Sequence, residues 1–161
     1  MIAQVLFSRV CVRGLRNLSS VELEPASRLN VIAGDNAQGK TSLLEALYLV
    51  ATSRSFRTER LRELVQHGHD MATVTAAISD GTHRREQRVV VPSASQRRLT
   101  IDGKTAAHAA AYATRTPVVV FHPGDLSLVS GPAAARRMLL DRLTLFLFPS
   151  TVEHRRHYLR A

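Results

Sequence analysis

The sequence predicts an α/β fold, and two observations carry that expectation. Short apolar or alternating runs that read as strands are interleaved with stretches of helical spacing. One glycine-containing loop joins a strand-like run directly to an amphipathic helix. The chain has 161 residues, enough to bury a substantial core in one domain, or in one domain and part of another. Apolar residues make up 45%, the level of an ordinary globular protein, which excludes a wholly disordered chain. No apolar run approaches the roughly 18 residues of a membrane span. Residues 1–5 lack the basic start and apolar stretch of a secretion signal. The expectation is a soluble, cytoplasmic protein with no membrane partner.

Taken in order, residues 1–12 alternate loosely and turn at Arg13 and Gly14, and residues 21–24 alternate up to Pro25. Leu29, Asn30, Val31, Ile32 and Ala33 form a short apolar run, so all three segments read as strands. Residues 41–52 place Leu43, Leu44, Leu47 and Tyr48 at helical spacing with no Gly or Pro inside, and read as a helix. A polar, Arg-rich stretch follows, with a short helix expected over 59–65. Residues 74–78 and 88–91 read as strands joined around Asp80 and Gly81, a hairpin pattern. Residues 98–101 add a short strand before Asp102 and Gly103, and the Ala-rich run 106–113 reads as helix. Val118, Val119, Val120 and Phe121 read as a buried strand. Helical spacing then runs from about Ala133 to Leu147, where Pro149 breaks it. Residues 150–160 read as a basic helix with no helix-ending residue before Ala161, which implies a piece of a longer protein.

The most specific motif is Gly34, Asp35, Asn36, Ala37, Gln38, Gly39, Lys40 and Thr41, followed by Ser42. It fits G-x-x-x-x-G-K-[ST], the phosphate-binding loop. Glycines let the backbone turn where a side chain would clash. Successive N–H groups then point inward as an anion nest, and the following helix adds its unpaired N–H groups and positive dipole end. Lys40 supplies a charge for the β- and γ-phosphates, and the Thr41 hydroxyl can ligate Mg²⁺. The expected ligands are therefore ATP and Mg²⁺. Hydrolysis needs more: a second metal ligand and a carboxylate that orients water. Asp141 follows Met138, Leu139 and Leu140, but its surroundings read as helix, which favours a structural role. The strand-like run 118–121 ends in His122. The chain is equipped to bind a nucleotide and short of the parts to hydrolyse it.

Net charge is +9, from 22 basic and 13 acidic residues, and 20 of the basic residues are Arg. Such a surface attracts polyanions, although an Arg- and Ala-rich chain can also reflect composition alone. The run Arg54, Arg57, Arg60 and Arg62 and the groups Arg84, Arg85, Arg88 and Arg97, Arg98 are candidate phosphate contacts. Glu59 and Glu63 offer Arg60 and Arg62 local ion pairs instead. With no Trp and 5% aromatics, contact with the sugar-phosphate backbone fits better than base stacking. The seven histidines have no metal-site spacing, including His67 and His69 around Gly68 and His154 and His157 near the end. The single cysteine, Cys11, reads as a packed side chain.

At these residues the chain resembles the RecF family of bacterial DNA replication and repair ATPases. The core Asn36, Ala37, Gln38, Gly39, Lys40, Thr41 is similar to that family's loop. Residues 12–17 resemble its early Arg-Asn segment, with Gly14 and Leu15 as departures. Residues 44–49 and the run Ser53, Arg54, Ser55, Phe56, Arg57 resemble its post-loop helix and Arg-Ser-Phe-Arg stretch. Residues 121–141 resemble a family signature in which Gly131, Arg136, Arg137, Leu140 and Asp141 fall in place. Gly124 stands where the family has an acid, Pro132 and Ala133 are exchanged, and Leu139 replaces an aromatic.

The resemblance implies an ABC-type P-loop fold: a mixed sheet around the P-loop helix with an antiparallel subsheet. It implies an ATP-binding lobe over 1–131 and the start of a helical lobe over 132–161, broken off before that lobe is complete. It places Arg16 near the nucleotide phosphates, in competition with Arg13. It also implies DNA binding, single- and double-stranded, at gaps and strand junctions, with RecR and RecO as partners and RecA loading and the SOS response as the setting. Arg54, Arg57, Arg84 and Arg85 are the DNA candidates. The family's ATP-dependent homodimer caps each bound ATP with the other subunit's signature loop. Three other readings stay open: a head of another SMC-like or transporter-type ATPase, a small-molecule kinase, and a folded fragment that binds nucleotide without turnover.

Overall fold

The computed structural model describes residues 5–147, which fall into two compact units divided between Val118 and Val119. The expected helix over 150–160, with His154 and His157, lies outside the described residues.

The first unit is a six-stranded sheet with helices on one face. Its strands are β1 (Leu6–Leu15), β2 (Leu18–Leu23), β3 (Met71–Ser79), β4 (Arg84–Pro92), β5 (Arg98–Ile101) and β6 (Lys104–Thr105), in the order β2-β1-β3-β4-β5-β6. Every pairing is antiparallel. Period-two alternation decides the faces. Val10 and Val12 of β1, Val74, Ala76 and Ile78 of β3, Val89 and Val91 of β4 and Leu99 of β5 point to one side and are buried. Helix α1 (Lys40–Thr52) packs on that side through Ala46, Leu49 and Val50. The short helix α2 (Ala109–Ala113) adds Tyr112, which is fully buried.

The opposite face carries Arg9, Cys11 and Arg13 from β1, Thr73 and Thr75 from β3, Glu86 and Arg88 from β4, and Arg98 and Thr100 from β5. Cys11 is therefore half-buried on the polar face and not in the core. It sits opposite Glu22 and Thr75.

Two turns set the geometry near the phosphate loop. β1 and β2 join through Arg16 and Asn17 alone, with Arg16 in the left-handed region at φ 55°. The end of β1 is braced by the 3-10 turn Leu61–Leu64 and the residues after it. Arg16 N–H donates to the Leu64 carbonyl at 2.7 Å, and Gln66 N–H to the Gly14 carbonyl at 2.9 Å. Gly14 must be glycine: φ is 61°, and a Cβ would lie 2.8 Å from the Met71 carbonyl oxygen.

Two expected strands are corrected. Residues 29–33 and 118–121 form no strand, and Val31 and Val119 are 82% and 91% exposed. A strand is completed by a neighbour that pairs its N–H and C=O groups, and no described residue pairs with either segment in the sheet. The hairpin strands around Asp80 are instead longer than expected, because the alternating pattern continues through Thr73 and Gln87. The second unit holds the 3-10 turn Pro123–Leu126, the short helix α3 (Ser127–Ser130) and α4 (Ala133–Leu147), the last spanning the expected range.

Tyr112 closes the core beneath α1. Its hydroxyl donates to the Val50 carbonyl at 2.7 Å, one of the last four carbonyls of α1, which lack a helical partner. Burial pushes the phenol's pKa well above its ordinary value. Tyr112→Phe keeps the packing but leaves that carbonyl unsatisfied. Urea unfolding should show a loss of about 1–2 kcal/mol, with an unchanged slope.

Candidate functional site

The phosphate loop enters α1 through a backbone that only certain residues permit. Gly34, Ala37 and Gly39 have φ of 147°, 66° and 91°. Gly39 has no room for a side chain: a Cβ would sit 2.6 Å from Leu18 Cδ2 and 3.2 Å from the Asn17 amide. Gly39 is also the N-cap of α1 and provides no side-chain cap, and the Leu43 N–H returns to its carbonyl at 2.8 Å. The N–H groups of the first helical turn, at Lys40, Thr41 and Ser42, are thus left to an outside acceptor.

Asp35, Asn36, Ala37 and Gln38 are exposed along the loop, and Thr41 is exposed at the helix start. Lys40 Nζ donates to the Gly34 carbonyl at 2.7 Å and the Asp35 carbonyl at 2.6 Å, so the ammonium lies within the loop's own curve. Ser42 is buried, and its hydroxyl donates to Asn17 Oδ1 at 2.9 Å. Asn17 Nδ2 in turn donates to the Ala37 carbonyl at 2.8 Å. Asn17 therefore bridges the loop and the first turn of α1. The signal available in the sequence was its place in a two-residue turn whose partners become visible only when the sheet is folded.

Arg16 is engaged by a carboxylate. Its Nε and Nη2 each reach one oxygen of Glu45 at 3.1 Å, a bidentate pair, and its Nη1 donates to the Glu63 carbonyl at 3.1 Å. Glu45 is fully buried in α1, four residues after Thr41. It also accepts from Ser55 Oγ at 2.5 Å and from Arg57 Nη1 at 3.3 Å. One carboxylate thus gathers the β1–β2 turn, α1 and the loop after α1. Glu45 was not singled out from sequence, because a Glu on a helix ordinarily reads as a solvated residue.

The other candidate arginines divide. Arg54 is exposed just beyond α1, and Arg57 is 43% exposed while its Nη1 holds Glu45. Arg84 is exposed at the start of β4, opposite Ser79. Arg85 points to the inner face, with its side chain 11% exposed. It donates to Asp80 Oδ2 at 3.2 Å, to the Thr116 hydroxyl at 3.1 Å and to the Arg115 carbonyl. Asp80 is a firm anchor for it. The His83 and Thr82 N–H groups donate to its carboxylate and bring its pKa down to about 2. Arg85 thus serves the hairpin and α2 region from the inner face. Among the described residues no group of three or more His, Cys, Asp or Glu side chains is placed to hold a metal ion.

These contacts separate two roles that can be measured. Asn17→Ala removes the bridge from an exposed site. Hydrogen–deuterium exchange at residues 35–39 should quicken several-fold, with the thermal midpoint nearly unchanged. Glu45→Ala strands the Arg16 guanidinium without its partner, and urea unfolding should show a loss of about 3 kcal/mol.

Comparison with known proteins identifies the family and the fold. The AAA domain family matches residues 9–107. The DNA replication and repair protein RecF of Anaeromyxobacter sp. (strain Fw109-5) is 40% identical over 152 residues, covering 94% of this chain and 41% of that protein. RecF of Myxococcus xanthus (strain DK1622) is 40% identical over 150 residues, covering 93% and 39%. The chain therefore spans about two-fifths of the length of the curated relatives it matches. Among solved structures, a RecF structure with ATP superposes with a TM-score of 0.91 at 24% identity, over 98% of this chain and 44% of that one. A structure from work on ATP-driven dimerisation of SMC ATPases superposes with a TM-score of 0.67 at 16% identity, over 85% and 98%. The fold is thus that of RecF and SMC ATPase heads, and the chain belongs to the AAA domain family, with its sequence likeness to the RecF replication and repair proteins.

Proposed function

We propose that this chain is the ATP-binding part of a RecF-like ATPase that acts on DNA in replication and repair. The observation that supports this most directly is the phosphate loop, shaped by left-handed residues, seated on Leu18 and Asn17, and curved around the Lys40 ammonium. The N–H groups of the loop and of the first turn of α1 would take the β- and γ-phosphates, and Lys40 would turn from the loop carbonyls to them. The Thr41 hydroxyl, exposed at the helix start, offers Mg²⁺ one ligand. When bound, the metal neutralises phosphate charge. Nucleotide binding is the step for which these residues supply named groups.

The rest of the proposed role follows from the RecF likeness. It comprises cytoplasmic DNA binding at gaps and single-strand/double-strand junctions, work with RecR and RecO, support of RecA loading and the SOS response, and ATP-driven pairing of two heads. The 1–131 lobe would carry the nucleotide and residues from 132 would begin the helical lobe. No helix among the described residues is long and apolar enough to cross a membrane.

Calorimetric titration with Mg-ATP tests the nucleotide reading. The chain should bind ATP, and Lys40→Ala should weaken binding by about tenfold to a hundredfold, the worth of a charge-assisted hydrogen bond. Phosphate release should stay at background for both. No ATP binding by a chain that circular dichroism shows to be folded would remove the reading. Turnover that Lys40→Ala abolishes would show that the chain holds a catalytic set of its own.

A further inference from the structure

A cleft of about 1190 Å³ opens between the Leu61–Leu64 turn and the strands β4 and β5. It draws arginines from stretches far apart in sequence: Arg60 and Arg62 from the loop after α1, Arg88 from β4, and Arg97 and Arg98 at the start of β5. Its carboxylates are Glu59 and Glu86. Among the described residues none of these five guanidiniums is in an ion pair or a hydrogen bond, while those of Arg9, Arg16, Arg57 and Arg85 all hold carboxylates.

The cleft therefore holds an uncompensated positive excess of three. Arg97 lies close enough to Arg54 for their charges to oppose each other, and burial together with that repulsion lowers its pKa from the ordinary guanidinium value. All five arginines are exposed at the cleft, where their like charges together favour an incoming anion. No Phe, Tyr or Trp lines the cleft, so it has no platform for stacking an unpaired base. Forked guanidiniums at several points along a cleft suit phosphate oxygens repeated along a chain.

We propose that this cleft is a docking site for the phosphodiester backbone of a nucleic-acid duplex. The proposal rests on the reading of the protein as DNA-acting and names the surface that would carry it. It also reassigns the contacts. The groups around Arg60 and Arg97 form one site, and neither Arg84 nor Arg85 is among the residues lining the cleft.

Fluorescence anisotropy with a labelled duplex, titrated across salt concentrations, tests it in the full chain. The double variants Arg60→Gln/Arg62→Gln and Arg97→Gln/Arg98→Gln should each weaken duplex binding more than tenfold. Each should also flatten the salt dependence by about 1.8 in log–log slope, the value for two lost phosphate contacts. A control with the same charge loss, Arg9→Gln/Arg115→Gln, should change affinity less than about threefold. Circular dichroism and ATP titration confirm that each variant is folded. Phenylglyoxal modification of the unmutated chain, read by mass spectrometry, should show Arg97 protected by duplex.

Equal weakening in cleft and control variants, or an unprotected Arg97, would overturn the cleft while leaving the DNA reading standing. Tighter binding to a single strand or to an acidic peptide than to duplex would overturn the class of partner. No duplex binding by a chain that still binds ATP would overturn the DNA reading itself.

Discussion

The buried carboxylate of Glu45 is the constraint on which the site's geometry depends. A charge removed from water is tolerated only when donors surround it, and Glu45 finds them in Arg16, Ser55 and Arg57. Satisfying it fixes three segments at once. The β1–β2 turn is drawn to α1 through Arg16, and the chain after α1 is folded back through Ser55 and Arg57. With Arg16 held, Asn17 is presented to the phosphate loop, where it joins the Ala37 carbonyl to Ser42. The loop's shape is therefore set by a side-chain chain that begins at a helix residue and passes through a neighbouring turn.

The sheet divides the remaining work between its faces. Valines and small residues on the inner face seat α1 and α2, and Tyr112 ties α2 back to the end of α1. The outer face carries arginines and threonines and meets no helix of the first unit. An antiparallel sheet with one covered and one open face is an ordinary solution to burying apolar surface. Here it displays several arginines at register positions of a hydrogen-bonded ladder.

Legibility in the sequence followed the range of the interactions. Helix α1, the loop before it and the Asp80 hairpin depend on contacts within a few residues, and glycine, turn and periodicity patterns reported them well. Helix α4 was readable for the same reason. The runs at 29–33 and 118–121 were not, because apolarity records what a segment can bury and says nothing of whether a pairing edge is at hand. Arg16 and Asn17 show the limit for side chains. Both lie in one turn, yet the arginine goes to a carboxylate 29 positions away and the asparagine to the loop. Arg84 and Arg85 differ by one residue and so by one sheet face. Arg85 belongs to Asp80 and Thr116, which the charge pattern alone could not reveal.

The exposed course of residues 29–33 has a consequence for the phosphate loop that follows them. The loop's two legs are held unequally. On the helix side, Gly39 is packed on Leu18, Ser42 and Ala37 are tied to Asn17, and Leu43 closes the first helical turn. On the other side, Gly34 and Asp35 are held by the Lys40 ammonium, while Val31 is largely exposed. The N–H donors that the proposed phosphate contact would meet, those of Gly39, Lys40, Thr41 and Ser42, all lie on the fixed leg. Preorganised donors lower the ordering cost of an incoming anion. Lys40 joins the two legs, so a phosphate that draws its ammonium away also releases the Gly34 and Asp35 carbonyls. On the proposed reading the firm leg would provide the anion site, and the Lys40 contact would make the other leg responsive to its occupation.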